Sequence, residues 1–147
     1  MTAPPTRQSI LRSLALAEPA ELAAVLQRVA PEAPHTVVRG PETGLVMVRG
    51  RIGGGGAPFN AGEATVSRCV VRLASGEVGF GHVMGRDGTR ARQVALLDAL
   101  AQTPAHATAV AKAAVTLERD RLAREAGRAR EVAATRVDFF TMVRGED

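Results

Sequence analysis

The sequence predicts a single α+β domain of 147 residues, with helices at both ends and an antiparallel sheet between them. Apolar residues recur at helical spacing near the N-terminus and again in the second half. Between these parts, β-branched residues alternate with polar ones at the two-residue period of strands. We therefore expect a helical hairpin over residues 1–33, a sheet of about four strands over 34–86, helices over 87–136 and an apolar docking tail over 137–147.

The N-terminal helical pair is predicted from its capping and breaking residues. Thr6 is a suitable N-cap for a helix that carries Ile10 and Leu14 on one face. Pro19 suits the first turn of a second helix, which we expect to end before Pro31. These signals together indicate a small helical hairpin.

The sheet is predicted from three stretches. The run HTVVRGPETGLVMVRGR, residues 35–51, indicates two short strands around a Pro/Gly turn. Further on, Thr65, Ser67, Cys69 and Val71 share one face of a strand. The Ser-Gly pair after this strand predicts a hairpin turn to the next one.

Two helices are predicted in the second half. Asp87 or Thr89 can cap the first, and Pro104 interrupts the helical pattern. A long helix then runs from about Ala105 to about Ala134, with a thin alanine-rich stripe and a charged face. Such a stripe permits close approach of another helix, although a solvated charged face is the commoner meaning.

Composition excludes several classes of protein. The 46% apolar and 23% charged content argues against disorder, and no stretch reaches the ~20 apolar residues of a membrane span. A single cysteine, Cys69, allows neither an internal disulfide nor a multi-cysteine metal site, which favours a cytoplasmic location. Four Phe, with no Tyr or Trp, leave little for stacking on bases. The net charge of +4 is carried almost wholly by Arg.

The segment RGRIGGGGAPFNAGE, residues 49–63, looks like a candidate anion site. A Walker-type loop needs a lysine and a following helix, and a dinucleotide fingerprint also needs that helix. Here a strand follows, so both are rejected. Two interpretations remain open: a long hairpin loop, or a loop that lies against a ligand or a partner.

Arginines flank this segment and the later GRD motif. Arg49 and Arg51 point to the same face of a strand. Arg86 and Arg90 lie around a predicted helix start, where free N–H groups favour an anion. If the strand ends converge, these groups can contact a phosphate or phosphonate, but Asp87 competes and ordinary ion pairing is the alternative. The candidate contacts to an anion or another subunit are Arg49, Arg51, Gly53, Gly54, Asn60, Glu63, Arg86 and Arg90.

No self-contained active site is predicted. His35, His82 and His106 are isolated, so we expect no metal site. Cys69 is better explained as a buried, inert thiol than as a nucleophile. Glu63 and His82 form an acid–base pair only if the fold brings them together.

The C-terminal tail carries an apolar cluster where most chains become polar. Its members are Phe139, Phe140, Met142 and Val143. Such a cluster must dock. Docking on the chain's own sheet and docking on another subunit both remain open.

Together, RGR, FNxGE followed by TxxRC, GRD and the VDFFTMVRGE tail resemble the PhnG family, the G subunits of bacterial carbon–phosphorus lyase. The resemblance runs from about Arg7 to Glu146. Ala61 within FNxGE and Ser67, where Thr is usual, are mild departures. Ala61 replaces a bulkier apolar residue and is expected to loosen packing beside the loop.

The resemblance implies a component of a complex. The family's G subunits assemble with H, I and J subunits, in paired copies. With H, I and L subunits they support displacement of adenine from ATP by a phosphonate such as methylphosphonate, which gives a ribose 1-phosphonate 5-triphosphate. The nucleosidase-like chemistry is attributed to the I subunit. The iron–sulfur cluster, with S-adenosylmethionine, belongs to the J subunit, so this chain is expected to hold no cofactor and no metal.

We therefore expect a structural and specificity subunit of an enzyme complex. In this interpretation Arg49, Arg51, Arg86 or Arg90 helps to hold an anionic group while the I subunit activates C1 of the ribose. One alternative is a pure scaffold that touches no substrate. Another is a basic nucleic-acid-binding adaptor, against which the scarce aromatics and the acidic residues of the long helix argue. Neither a membrane nor a nucleic acid is an expected partner.

Overall fold

A computed structural model describes residues 5–135 and confirms the α+β class. Within that range the chain forms four α-helices and a three-stranded antiparallel sheet of order β1-β2-β3. The elements are α1 (Arg7–Ala15), α2 (Pro19–Val29), β1 (His35–Arg51), β2 (Pro58–Leu73), β3 (Val78–Met84), α3 (Gly88–Leu100) and α4 (Ala107–Ala134). In the same range, no helix is long and apolar enough to span a bilayer.

The predicted helix starts are confirmed. The Thr6 hydroxyl accepts a hydrogen bond from the Ser9 amide at 3.2 Å, as an N-cap does. Pro19 is the first residue of α2. Asp87 caps α3, because its Oδ1 accepts from the Arg90 amide at 2.9 Å.

The sheet has three strands in the described residues, where about four were expected. The stretch that was predicted as two strands around a Pro/Gly turn is one strand of 17 residues, β1. Its register against β2 shifts between Val37 and Glu42, so the chain bulges around Pro41 without reversing direction. Because β1 is an edge strand, a proline in this bulge removes no bond from the ladder.

The core lies between one face of the sheet and α3. Ser67, Cys69 and Val71 point to this face and are buried, as their alternation predicted. Two glycines of β3 let α3 lie very close: a Cβ on Gly79 would stand 1.9 Å from the carbonyl oxygen of Ala95. At Gly81, a Cβ would stand 1.8 Å from the carbonyl oxygen of Ala91.

The sheet continues as a two-stranded ribbon beyond the end of β3. β3 pairs with β2 only from Val66 to Arg72, whereas β1 pairs with β2 as far as Pro58. Residues 45–65, called the β-arm below, therefore extend roughly 25 Å past β3. Most residues of the β-arm are exposed, because the core that covers β2 and β3 ends before it.

Helix α4 packs through its first half. Val110, Ala113, Ala114 and Leu117 are buried, whereas the last turns of the helix are exposed. At 28 residues it is ~42 Å long, so it carries the chain well away from the core. The tail cluster at Phe139, Phe140, Met142 and Val143 lies outside the described residues.

Candidate functional site

The eight candidate contact residues lie in three separate places. The β-arm carries Arg49, Arg51, Gly53, Gly54, Asn60 and Glu63. Arg86 lies in the turn between β3 and α3, and Arg90 lies in the first turn of α3. Arg49 pairs with Asn60, roughly 15 Å along β2 from Thr65 at the base of the arm. A shared anion site requires these arginines to lie close together. Arg49 and the arginines at the base of the β-arm are too far apart for that in this chain alone.

The glycine-rich loop is a tight hairpin connection. Gly53 and Gly54 have φ of 62° and 77°, a conformation that strongly favours glycine. Arg51 Nη1 donates a hydrogen bond to the carbonyl oxygen of Gly56 at 2.9 Å, which ties β1 to the loop that follows it. The turn thus accounts for the glycines at positions 53 and 54, and contact of this loop with a ligand or a partner stays a prediction.

Arg49 remains available on the β-arm. It is exposed, and no ion pair to it is found in the described part of the chain. Alternation along β1 places Arg49 and Arg51 on the same face as Leu45 and Met47. Glu63 pairs with Met47 and lies on this face too. The face therefore combines apolar side chains with two cations and one carboxylate.

A buried hydroxyl fixes the turn that presents Arg86. Ser67 Oγ donates to the carbonyl oxygen of Gly85 at 2.8 Å and accepts from the Asp87 amide at 2.9 Å. It also contacts Thr43 Oγ1 at 3.3 Å, and Ser67 is fully buried. The GRD motif is thus held rigidly at the base of the β-arm, with Arg86 exposed to solvent.

Arg90 has a structural role in this chain. Its Nη2 donates to the carbonyl oxygen of Ala15 at 2.9 Å, which joins the start of α3 to the end of α1. Its Nε is buried without a hydrogen-bond partner among residues 5–135. The guanidinium therefore faces the protein, and Arg90 suits an anion less well than the exposed Arg49 and Arg86.

Glu63 and His82 do not form an acid–base pair. His82 pairs with Arg68 on β2, roughly 15 Å from Glu63 along the strand. The two side chains also lie on opposite faces of the sheet, because residues 63 and 68 differ by an odd number of positions on β2. The structure thus separates the two groups.

A charged cleft on the open face of the sheet was not predicted. It encloses about 200 Å³ and is lined by Arg39, Glu42, Arg68, Phe80 and His82, among others. Arg68 Nε and Arg39 Nε lie 2.6 Å and 2.9 Å from the same oxygen of Glu42. The hydrogen bond from Arg68, aided by Arg39, lowers the pKa of Glu42. The β1 bulge brings Glu42 opposite Arg68, and a sequence pattern that predicted a turn there could not reveal this pair.

Neither Cys69 nor a metal cluster gives the described part of the chain a reactive site. Cys69 is 2% exposed, which confirms the expected burial. Burial also raises the pKa of its thiol and so disfavours the thiolate that a nucleophile requires. No cluster of three or more His, Cys, Asp or Glu side chains suited to a metal occurs in residues 5–135. A larger, mostly apolar cavity of about 670 Å³ lies at the opposite end of β2 from the β-arm, beside Leu73, and none of the eight candidate residues lines it. Among the eight candidate residues the chain thus presents cations but no nucleophile paired with a base.

Comparisons with known proteins identify the family of this chain. The chain matches the model of a family described as "Phosphonate metabolism protein PhnG" over residues 5–145. It is also 52% identical, over 141 residues, to a protein of Rhizobium meliloti (strain 1021) named "Alpha-D-ribose 1-methylphosphonate 5-triphosphate synthase subunit PhnG". The match covers 96% of this chain and 90% of that relative. The chain belongs to the PhnG family of phosphonate metabolism proteins.

Proposed function

We propose that this chain is a subunit of the synthase that makes α-D-ribose 1-methylphosphonate 5-triphosphate. The observation that carries the proposal is the 52% identity, over nearly the whole chain, to a relative named as a subunit of that synthase. The eight candidate residues hold cations but no nucleophile–base pair, which supports it, because a subunit can leave the chemistry to its partners.

The reaction brings two anionic groups, a phosphonate and a triphosphate, into one molecule. An oxygen of the phosphonate dianion forms a bond to C1 of the ribose of ATP, the bond from C1 to adenine breaks, and the leaving adenine takes up a proton from the solvent. The phosphonate and the triphosphate repel each other, and fixed cations in a water-poor site reduce that repulsion. In our proposal the exposed Arg86 supplies such a cation at a surface shared with other subunits.

The partners follow from the same proposal. The H, I and L subunits act with this chain in displacing adenine, and the I subunit activates C1 of the ribose. H, I and J subunits form the core with it, and the iron–sulfur cluster with S-adenosylmethionine is held by J. We place the whole assembly in the cytoplasm, where ATP is available and a lone cysteine such as Cys69 stays reduced.

The scaffold and nucleic-acid alternatives differ in their support. Arg51 donates a hydrogen bond within its own loop, and Arg90 donates one to the end of α1. These two arginines therefore have structural contacts, which is what the scaffold alternative predicts. Nucleic-acid binding is disfavoured, because Arg12, Arg121 and Arg124 around α4 are all paired with carboxylates.

The test is reconstitution with purified H, I and L subunits, ATP and methylphosphonate, with and without this chain. We expect the complete mixture to release adenine and form the phosphonate-bearing ribose triphosphate, which phosphorus NMR identifies. Without the chain, we expect hydrolysis to ribose 5-triphosphate or no reaction. Product formation that is the same in both mixtures would overturn the proposal.

A further inference from the structure

The β-arm exposes an unusual amount of apolar surface for a strand pair. Leu45 is 62% exposed, Met47 61% and Ile52 77%. Val46, Val48 and Phe59 are also exposed, so both faces of the arm carry apolar groups. Contiguous apolar surface of this kind marks an interaction site, because an isolated protein gains stability by burying it.

The two edge strands of the sheet, β3 and β1, differ in whether side chains already bond their outward-facing backbone groups. At β3, the carboxylate of Asp98 accepts from the Phe80 amide at 2.9 Å, and Gln102 Nε2 donates to the Val78 carbonyl oxygen at 2.8 Å. These side chains occupy edge groups that would otherwise pair with another strand. On the β-arm, β1 forms the other edge, and its ladder partner in the described residues is β2 alone. In the β-arm the β1 edge between Leu45 and Val48 is therefore open to an added strand, and so is the β2 edge over residues 58–65, which β3 does not reach. Arg49 and Arg51 lie on β1 and Glu63 lies on β2, so the two open edges differ in charge.

Charge indicates which strand would add there. Arg49 and Arg51 lie on the same face as Leu45 and Met47, and Glu63 is the acidic residue of the β-arm. Two β-arms in contact would bring four arginines together, which disfavours a second copy of this chain. A strand with apolar side chains and nearby carboxylates complements the edge instead.

We propose that the β-arm is the docking element of this chain, and that its β1 edge accepts a strand from another subunit of the synthase. The partner strand pairs with residues 45–48 and buries Leu45 and Met47, and its carboxylates meet Arg49. The identity of the partner as a synthase subunit rests on the proposed function; the docking edge rests on exposure, pairing and charge.

The test compares two equally exposed apolar positions. Met47→Asp places a charge on the β-arm, and Val115→Asp places one on α4, where Val115 is 58% exposed. Each variant and the wild-type chain is titrated against the purified assembly of H, I and J subunits by light scattering or sedimentation. We expect Met47→Asp to weaken binding at least tenfold and Val115→Asp to leave it unchanged, with unaltered melting of both free chains.

A third variant tests the charge argument. We expect Arg49→Glu to weaken binding as well, and to do so less at high salt, because screening reduces the repulsion it introduces. If both Met47→Asp and Arg49→Glu bind the assembly of H, I and J subunits as tightly as the wild type does, the proposed docking edge is wrong. The reconstitution result, and so the proposed function, would not be affected. If Met47→Asp instead abolishes only self-association, the edge binds a second copy and the proposal is wrong. If the wild-type chain supports no product formation and does not bind, both proposals fall.

Discussion

Arg7 and Asp98 form a bidentate ion pair that joins α1 to α3. Arg7 Nε lies 2.9 Å from Asp98 Oδ1, and Nη2 lies 2.7 Å from Oδ2. The Asp98 side chain is fully buried, and Oδ2 also accepts from the Phe80 amide. One carboxylate therefore holds a helix, a strand edge and a second helix together.

Replacing this carboxylate should cost much of the stability of the fold. We expect Asp98→Ala to lower the free energy of unfolding by about 3 kcal/mol, because it leaves the Phe80 amide and a partly buried guanidinium unpaired. Asp120→Ala is the matched control, since Asp120 pairs with Arg119 at the surface and such pairs contribute about 1 kcal/mol or less. Urea unfolding followed by circular dichroism measures both variants. Equal losses of unfolding free energy would contradict the structural role given to Asp98.

The close packing of α3 on β3 gives a second prediction. A methyl group at Gly81 has no room beside the carbonyl oxygen of Ala91, so Gly81→Ala should destabilise the chain by about 3 kcal/mol or more. At Gly62 an added Cβ meets nothing within 4 Å, so we expect Gly62→Ala to change stability by roughly 0.5 kcal/mol or less. The same urea titration measures the pair. A Gly81→Ala chain as stable as the wild type would mean that α3 lies farther from the sheet than described.

The contact between α1 and α4 should weaken in acid. Hydrogen bonds from Arg121 and Arg12 lower the pKa of Glu118 from 4.5 to about 2. Because the pKa is lower in the folded chain, the stabilisation is present above about pH 4.5 and is lost as the pH falls towards 2. We expect a contribution of about 1 kcal/mol, since the arginines are partly solvated.

Glu118→Gln isolates this effect. The difference in unfolding free energy between wild type and variant should be present at pH 7 and should be largely lost near pH 2. A difference that stays constant across that range would assign the stabilisation to packing of the side chain rather than to its charge.

Two arginines of the candidate set should behave in opposite ways. Arg90→Ala is expected to lower stability by about 1 kcal/mol or more, because the bond to the Ala15 carbonyl and the packing of the guanidinium are lost. Arg49→Ala should leave the stability of the free chain unchanged, since Arg49 is exposed on the β-arm. In the reconstituted complex, however, we expect Arg49→Ala to reduce product formation at least tenfold. Thermal melting and product assays on the same samples distinguish the two roles, and full activity of Arg49→Ala would mean that Arg49 contacts neither substrate nor partner.

Local signals in the sequence predicted local structure well. Thr6, Pro19 and Asp87 act within one turn of their own helices, and the alternation from Ser67 to Val71 reports directly on a buried strand face. These features depend on neighbouring residues alone, so they can be predicted without a fold.

Features that depend on distant parts of the chain were not predicted. β1 is continuous through Pro41 because β2 is long enough to pair with both halves, which a local turn signal cannot reveal. The pair of Arg7 and Asp98 needs α1 and α3 to meet at the edge of β3. For the same reason the sequence could identify the arginines as candidates but could not show which of them lie close together. The length of the β-arm separates Arg49 from Arg86.

The most direct test of the account is the dependence of phosphonate-coupled adenine release on the amount of this chain. Purified H, I and L subunits are held at fixed concentration, the chain is added in steps, and adenine and phosphonate-bearing product are measured together. We expect the phosphonate-bearing product to rise with the added chain and to saturate when the chain equals the I subunit in number, whereas adenine released by simple hydrolysis does not rise and the chain alone gives neither. Product formation that does not respond to the added chain would contradict the account.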